Sequence, residues 1–135
     1  MHTYITGIIR RLLTDKYENF PQQILSRYEV PDENSISFVR VFWSYGDASY
    51  YSSNVSNASD LLILEVYEQK FIPESTIEDF ILFIRNNLLF KFKTFKYNGK
   101  VGNVTNVSVI ENTNDEMWKS YSLTISINVF EEEGN

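Results

Sequence analysis

Apolar positions near the start of the chain recur with a helical period. Ile5, Ile8, Ile9, Leu12 and Leu13 fall at i, i+3, i+4, i+7 and i+8, which predicts a helix over Thr3–Lys16 with Thr6, Arg10 and Thr14 turned away. Its polar face is short and only weakly basic, so the stripe reads as a core-facing surface and not a membrane-binding one. Pro21 disfavours helical backbone at Phe20 and ends the element. The short apolar run Ile24–Val30, closed by Pro31-Asp32, is predicted as an edge strand. The period then becomes two. Ile36–Ser44, rich in β-branched and aromatic residues, and Leu61–Glu68 predict a strand pair joined by a long polar tip, Tyr45–Asp60.

A second helix opens at Ser75-Thr76-Ile77-Glu78, a capping-box pattern in which the serine hydroxyl and the glutamate satisfy unpaired backbone donors. Ile77, Phe80, Ile81, Ile84 and Leu88 form its stripe. Leu82, Phe83 and Leu89 widen it, which predicts cover on more than one side. A three-stranded meander follows. Phe90–Tyr97 leads into Asn98-Gly99, a strong hairpin signal because both residues tolerate positive φ. Val101–Ile110 returns, and Asn112-Thr113-Asn114-Asp115 turns into the last strand. There Tyr121, Leu123, Ile125, Ile127 and Val129 alternate with Ser120, Ser122, Thr124, Ser126 and Asn128, so one face is buried and the other is wet or met by a polar partner. The whole pattern predicts an α+β fold: one antiparallel-dominated sheet with two helices packed on it, a single domain over 1–135 with no repeat and no linker.

Composition narrows the function classes. Ten Phe, nine Tyr and two Trp against five Gly and three Pro, in 135 residues, exclude a collagenous, linker-like or disordered chain. No stretch approaches the roughly 20 apolar residues that cross a bilayer, and Met1–Asp15 lacks a secretory-leader layout, so no membrane association is expected. With no cysteine, disulfides, thiol catalysis and thiolate metal sites drop out. A net charge of −6 argues against nucleic acid as the main partner, because phosphate recognition rests on a positive field. Phe90-Lys91-Phe92-Lys93-Thr94-Phe95-Lys96-Tyr97 interleaves rings and lysines, a pattern also used to stack single-stranded bases. On a strand, however, Phe90 and Phe92 would take one face and Lys91 and Lys93 the other. A bulge at Thr94-Phe95 would return Phe95 and Tyr97 to the buried side, leaving the lysines as solvated edge protection. The tripeptides Asn54-Val55-Ser56, Asn57-Ala58-Ser59, Asn103-Val104-Thr105 and Asn106-Val107-Ser108 match the glycosylation pattern. They read as chance occurrences in a chain without a visible secretory route.

Candidate chemistry is sparse. His2 is the single histidine and is expected in a fraying terminus, so neither a Ser-His-Asp triad nor a multi-histidine metal site can be assembled. Asp32-Glu33 and Asp115-Glu116 fall in turns, and Glu131-Glu132-Glu133 reads as a solvated tail. Phosphate-binding loops, dinucleotide fingerprints and EF-hand loops do not occur in the sequence. The expectation is a protein that is not an enzyme and takes no cofactor. The Tyr45–Asp60 tip has the composition of an adaptable recognition loop, with tyrosines among serine, asparagine and glycine. Tyr45, Asp47, Tyr50, Tyr51 and Asn54 are its candidate partner-contact residues.

The order of elements resembles the tail terminator proteins of long-tailed bacteriophages, also called tail completion or tail-to-head joining proteins. The features that carry the likeness are the Ile5–Leu13 stripe, the Ile36–Glu68 hairpin, the Ser75–Leu89 helix and the closing Ser120–Glu131 strand. The resemblance implies a structural protein of the virion tail or neck, present in the host cytoplasm during assembly. It implies a homo-oligomeric ring, usually hexameric in the family, that caps the tail tube and offers a surface to the head connector or stopper protein. The alternatives are another neck or head-completion protein, or a small-ligand-binding α+β module.

Overall fold

The computed structural model describes residues 1–15, 17–44, 59–72, 76–112 and 115–131. Helix α1 spans His2–Asp15 and is followed by strands β1 (Gln23–Leu25), β2 (Ser37–Ser44) and β3 (Ser59–Gln69). Helix α2 (Ile77–Asn86) runs into a single wide π turn, Asn87–Lys91, and strands β4 (Thr94–Tyr97), β5 (Lys100–Asn112) and β6 (Trp118–Glu131) complete the chain. The six strands form one sheet in the order β1-β2-β3-β6-β5-β4. Every neighbouring pair is antiparallel except β1 with β2, which is parallel. The fold is therefore α+β, with a mixed, mostly antiparallel sheet.

Both helices lie on the same face of that sheet. Ile5, Ile9, Leu12 and Leu13 of α1 and Ile77, Phe80, Ile81 and Ile84 of α2 are buried against Val39, Val41, Leu62, Leu64, Leu123, Ile125 and Ile127. The strict alternation of β6 explains this layer, since only its odd-numbered residues face the helices. Phe20 closes the layer edge-on to Phe80, with ring centroids 5.0 Å apart. The β4–β5 hairpin turns through Asn98 (φ 52°) and Gly99 (φ 76°), the paired positive-φ residues that a two-residue hairpin turn requires.

Several expectations need correction. Phe90–Tyr97 is not one strand. Leu88 extends the apolar stripe of α2 by one further turn, so the chain stays helical through Lys91 and only Thr94–Tyr97 pairs with β5. Phe90 is 79% exposed, and Tyr97, stacked on Tyr4 at 4.6 Å, does not return to the core as Phe95 does. The bulge sits in β5 instead, where the register shifts between Val104 and Asn106. It lets Gly102 and Val104 before it, and Val107 and Val109 after it, all face the helices. The expected strand over Ile24–Val30 contracts to Gln23–Leu25 and runs parallel to β2.

Helix α2 starts later than the capping box would set it. Thr76 is its N-cap and makes no side-chain cap bond, while Ser75 lies outside the described residues. A carboxylate from the sheet serves that end: Glu68, buried on the helix-facing side of β3, accepts a hydrogen bond from Thr76 N at 3.3 Å. Leu82, expected under cover, is 50% exposed.

Candidate functional site

Strand alternation gives the sheet a second face, opposite the one on which both helices pack. At one end of it β2, β3 and β6 bring three aromatic residues together. Phe38 stacks on Tyr67 with centroids 4.6 Å apart and meets Trp118 edge-on at 5.3 Å. The Arg40 guanidinium lies 5.4 Å from the Phe38 ring, and its Nη1 donates to the Glu29 carbonyl. Arg27 stands 5.0 Å over Phe42 on the same face. Beyond the rings the surface becomes hydroxylated: Ser122, Thr124 and Ser126 of β6 line up beside Ser108 and Asn112 of β5, while Ser120, next to the rings, is buried. A shallow polar depression of about 530 Å³ lies there, lined by Glu65, Tyr67, Asn112, Asp115, Ser120 and Ser122.

Titration of the exposed groups follows from these contacts. Burial, the Glu65 charge and a 3.3 Å hydrogen bond from Tyr67 Oη to Glu65 Oε2 hold the Tyr67 hydroxyl above its ordinary value. On the helix side, burial and the carboxylates of Glu78 and Glu111 push Tyr121 up in the same way. Glu29 is held below the usual carboxylate range by hydrogen bonds from the Ser26 hydroxyl and backbone N–H.

The helix side carries a groove of about 560 Å³ between α1 and the π turn. Ile8, Leu12, Phe83 and Phe92 supply its apolar wall, and Arg11, Asp15 and Lys91 its charges. Asn87 donates from its side-chain amide to the Phe83 carbonyl at 2.8 Å, which holds the wall where the backbone widens.

The expected tip residues Tyr45, Asp47, Tyr50, Tyr51 and Asn54 lie outside the described residues. The base of that tip is described, and it holds what the sequence reading missed. His2 is not in a fraying end: it begins α1, its Nε2 lies 2.7 Å from Asp60 Oδ2, and its ring stacks on Trp43 at 4.1 Å. Trp43 Nε1 in turn donates to Thr6 Oγ1 at 2.9 Å, so Thr6 does not face away from the sheet. The start of α1, the end of β2 and the start of β3 are thereby pinned together. The arrangement is a hydrogen-bonded and stacked clamp, with the imidazole oriented by the carboxylate. The signal for it was Trp43 at an odd, helix-facing position of β2, but His2 and Asp60 are too distant in sequence to be paired from pattern.

Asp115 also acts structurally, accepting from Met117 N at 2.8 Å and Trp118 N at 3.1 Å to start β6. Among the described residues no group of three His, Asp or Glu side chains is placed to hold a metal ion. No described helix is long and apolar enough to cross a membrane. No family model matches the chain, and no curated protein sequence matches it.

Proposed function

We propose that the protein is a structural assembly subunit, similar to the phage tail terminators, that forms a ring capping a tail tube and joining it to the head. The observation that supports this reading is the two-sided sheet. Its helices cover one face, and the other presents an ordered aromatic group with Ser122, Thr124 and Ser126 beside it, aromatic centre and polar surround being the anatomy of a contact with another folded surface. The Tyr45–Asp60 tip, which begins two residues after Trp43 and ends at Asp60 of the clamp, is the second contact in this proposal. Tyr50 and Tyr51 are its anchors, since tyrosines dominate many interfaces.

The test combines native mass spectrometry of the protein with electron microscopy of purified tail tubes to which it has been added. Density at one tube end, lost on joint replacement of Tyr50 and Tyr51 by Ser, is the expected result. Tubes left uncapped at saturating protein would overturn it. The groove between α1 and the π turn supports a second reading, a module for a small amphipathic anion held by Arg11 and Lys91. A ligand-dependent rise in melting temperature, abolished by Arg11→Ala, would favour that reading.

A further inference from the structure

The two sides of β5 are paired unequally. One side bonds β6 from Lys100 to Asn112. The other bonds β4 only from Lys100 to Asn103, with one more hydrogen bond from Val104 N to the Lys93 carbonyl at 2.8 Å. From Thr105 to Asn112 no described residue pairs with that outer side, so among the described residues its outward backbone donors and acceptors form an open strand edge.

The other edges of the sheet are protected. β4 is four residues long with Lys96 in it and Lys93 just before it, and β1 is three residues long between Pro21 and Pro31. Outer β5 has none of these devices. In a chain of net charge −6, the stretch Val104–Ile110 contains no charged residue, no proline and no lysine. It is rich in β-branched residues, which fit a paired strand.

We propose that this edge pairs antiparallel with the same edge of a second copy, about a two-fold axis at Ser108, joining two sheets into one. An edge of unpaired backbone groups calls for another strand. The stretch is complementary to itself in one register. A two-fold perpendicular to the sheet keeps both helical layers on one side, so opposed residues must share a face. With Ser108 opposite Ser108, Val107 meets Val109 twice on the helix side and Asn106 meets Ile110 twice on the other. Glu111 falls beyond this stretch, against the bulged Thr105 of the other copy, and no like charges oppose.

The neighbouring registers are worse. Centring on Val109 sets Glu111 against Val107. Centring on Val107 drives Glu111 towards Asn103, whose outer side β4 already occupies. The helix-side surface next to the edge is apolar and open: a cleft of about 260 Å³ lined by Ile81, Leu82, Val109 and Tyr121, with Glu78 and Arg85 at its rim. Ile110, on the other side, is 58% exposed. The contact is isologous and closes after two copies, whereas a ring needs head-to-tail contacts, so it does not rest on the tail-terminator reading.

Sedimentation velocity on the full chain at micromolar concentration tests the proposal. The expected species is a dimer. Ser108→Lys and Ser108→Glu each place like charges opposite one another across the axis, and each variant should sediment as a folded monomer. Mixing the two in equal amounts should restore a dimer, because Lys then opposes Glu. A monomeric parent protein, an assembly indifferent to both substitutions, or a mixture that stays monomeric would each overturn the proposal. Hydrogen exchange on the unaltered chain reads the same contact should a variant fail to fold. Alternate amides within Asn106–Ile110 should gain protection as concentration rises, and no gain would overturn the pairing.

Discussion

The two faces of β6 come from one stretch of chain and have opposite environments. Leu123, Ile125 and Ile127 are fully buried beneath the helices, while Ser122, Thr124 and Ser126, one residue away in each case, are half-exposed on the other side. Stability is concentrated on the first face through apolar burial. The second face is not simply the solvent side. At the β2–β3–β6 end Phe38 is itself buried beneath Tyr67, Trp118 and Arg40, so order there comes from side chains covering one another without a third layer. A sheet face without helices on it is thus structurally specified while contributing little to the core.

Substitutions on the two faces can break that contrast. Ile125→Ala removes a buried side chain and is expected to cost about 2–5 kcal/mol, read from denaturant midpoints. Glu68→Ala, on the same buried face, frees the Thr76 N–H at the start of α2 and should cost about 1–3 kcal/mol. Glu68→Gln, which keeps an accepting oxygen, should recover most of that loss. Thr124→Ala on the open face should change stability by no more than about 0.5 kcal/mol. Equal losses at Ile125 and Thr124 would mean that both faces are buried.

A smaller effect is expected at high pH, where one tyrosine on each face lies beside a carboxylate. Tyr67 and Tyr121 bind their protons more tightly when folded than when unfolded. Their contribution to stability is therefore fully present below the ordinary tyrosine value of about 10, and is lost as the pH rises through the higher folded values. Alkaline unfolding followed by circular dichroism should begin near pH 10, and Tyr67→Phe or Tyr121→Phe should each make the decline shallower.

Much of this layout was legible in the residues. The stripe from Ile5 to Leu13 marked α1 to within a residue at each end, and the alternation from Ser120 to Val129 identified both faces of β6. Asn98-Gly99 fixed its hairpin because the turn requires positive φ at both positions. What escaped had physical reasons. Phe90-Lys91-Phe92-Lys93 alternates over too few positions to separate strand from helix, and the burial of Leu88 in the core carried the helix forward. The parallel direction of β1 depends on where Phe38, Val39 and Arg40 lie in space, which a three-residue strand cannot announce. The clamp of His2 on Trp43 and Asp60 joins three elements and became visible only once they were placed together.

The β3–β6 seam also governs the order in which the molecule can come together. β4, β5 and β6 are successive in the chain and pair as neighbours, and β2 meets β3 next along it. Only the pairing of Ser59–Gln69 with Trp118–Asn128 spans α2, β4 and β5 in between. Closing so long an excursion carries the largest entropic cost of any pairing here and delays the contacts that reward it. The buried residues on both sides of that seam, Leu62, Leu64, Leu123 and Ile125, are where the two local halves become one cooperative unit. By contact order the slow step of refolding is expected at this seam, and truncating any of those four side chains is expected to slow it.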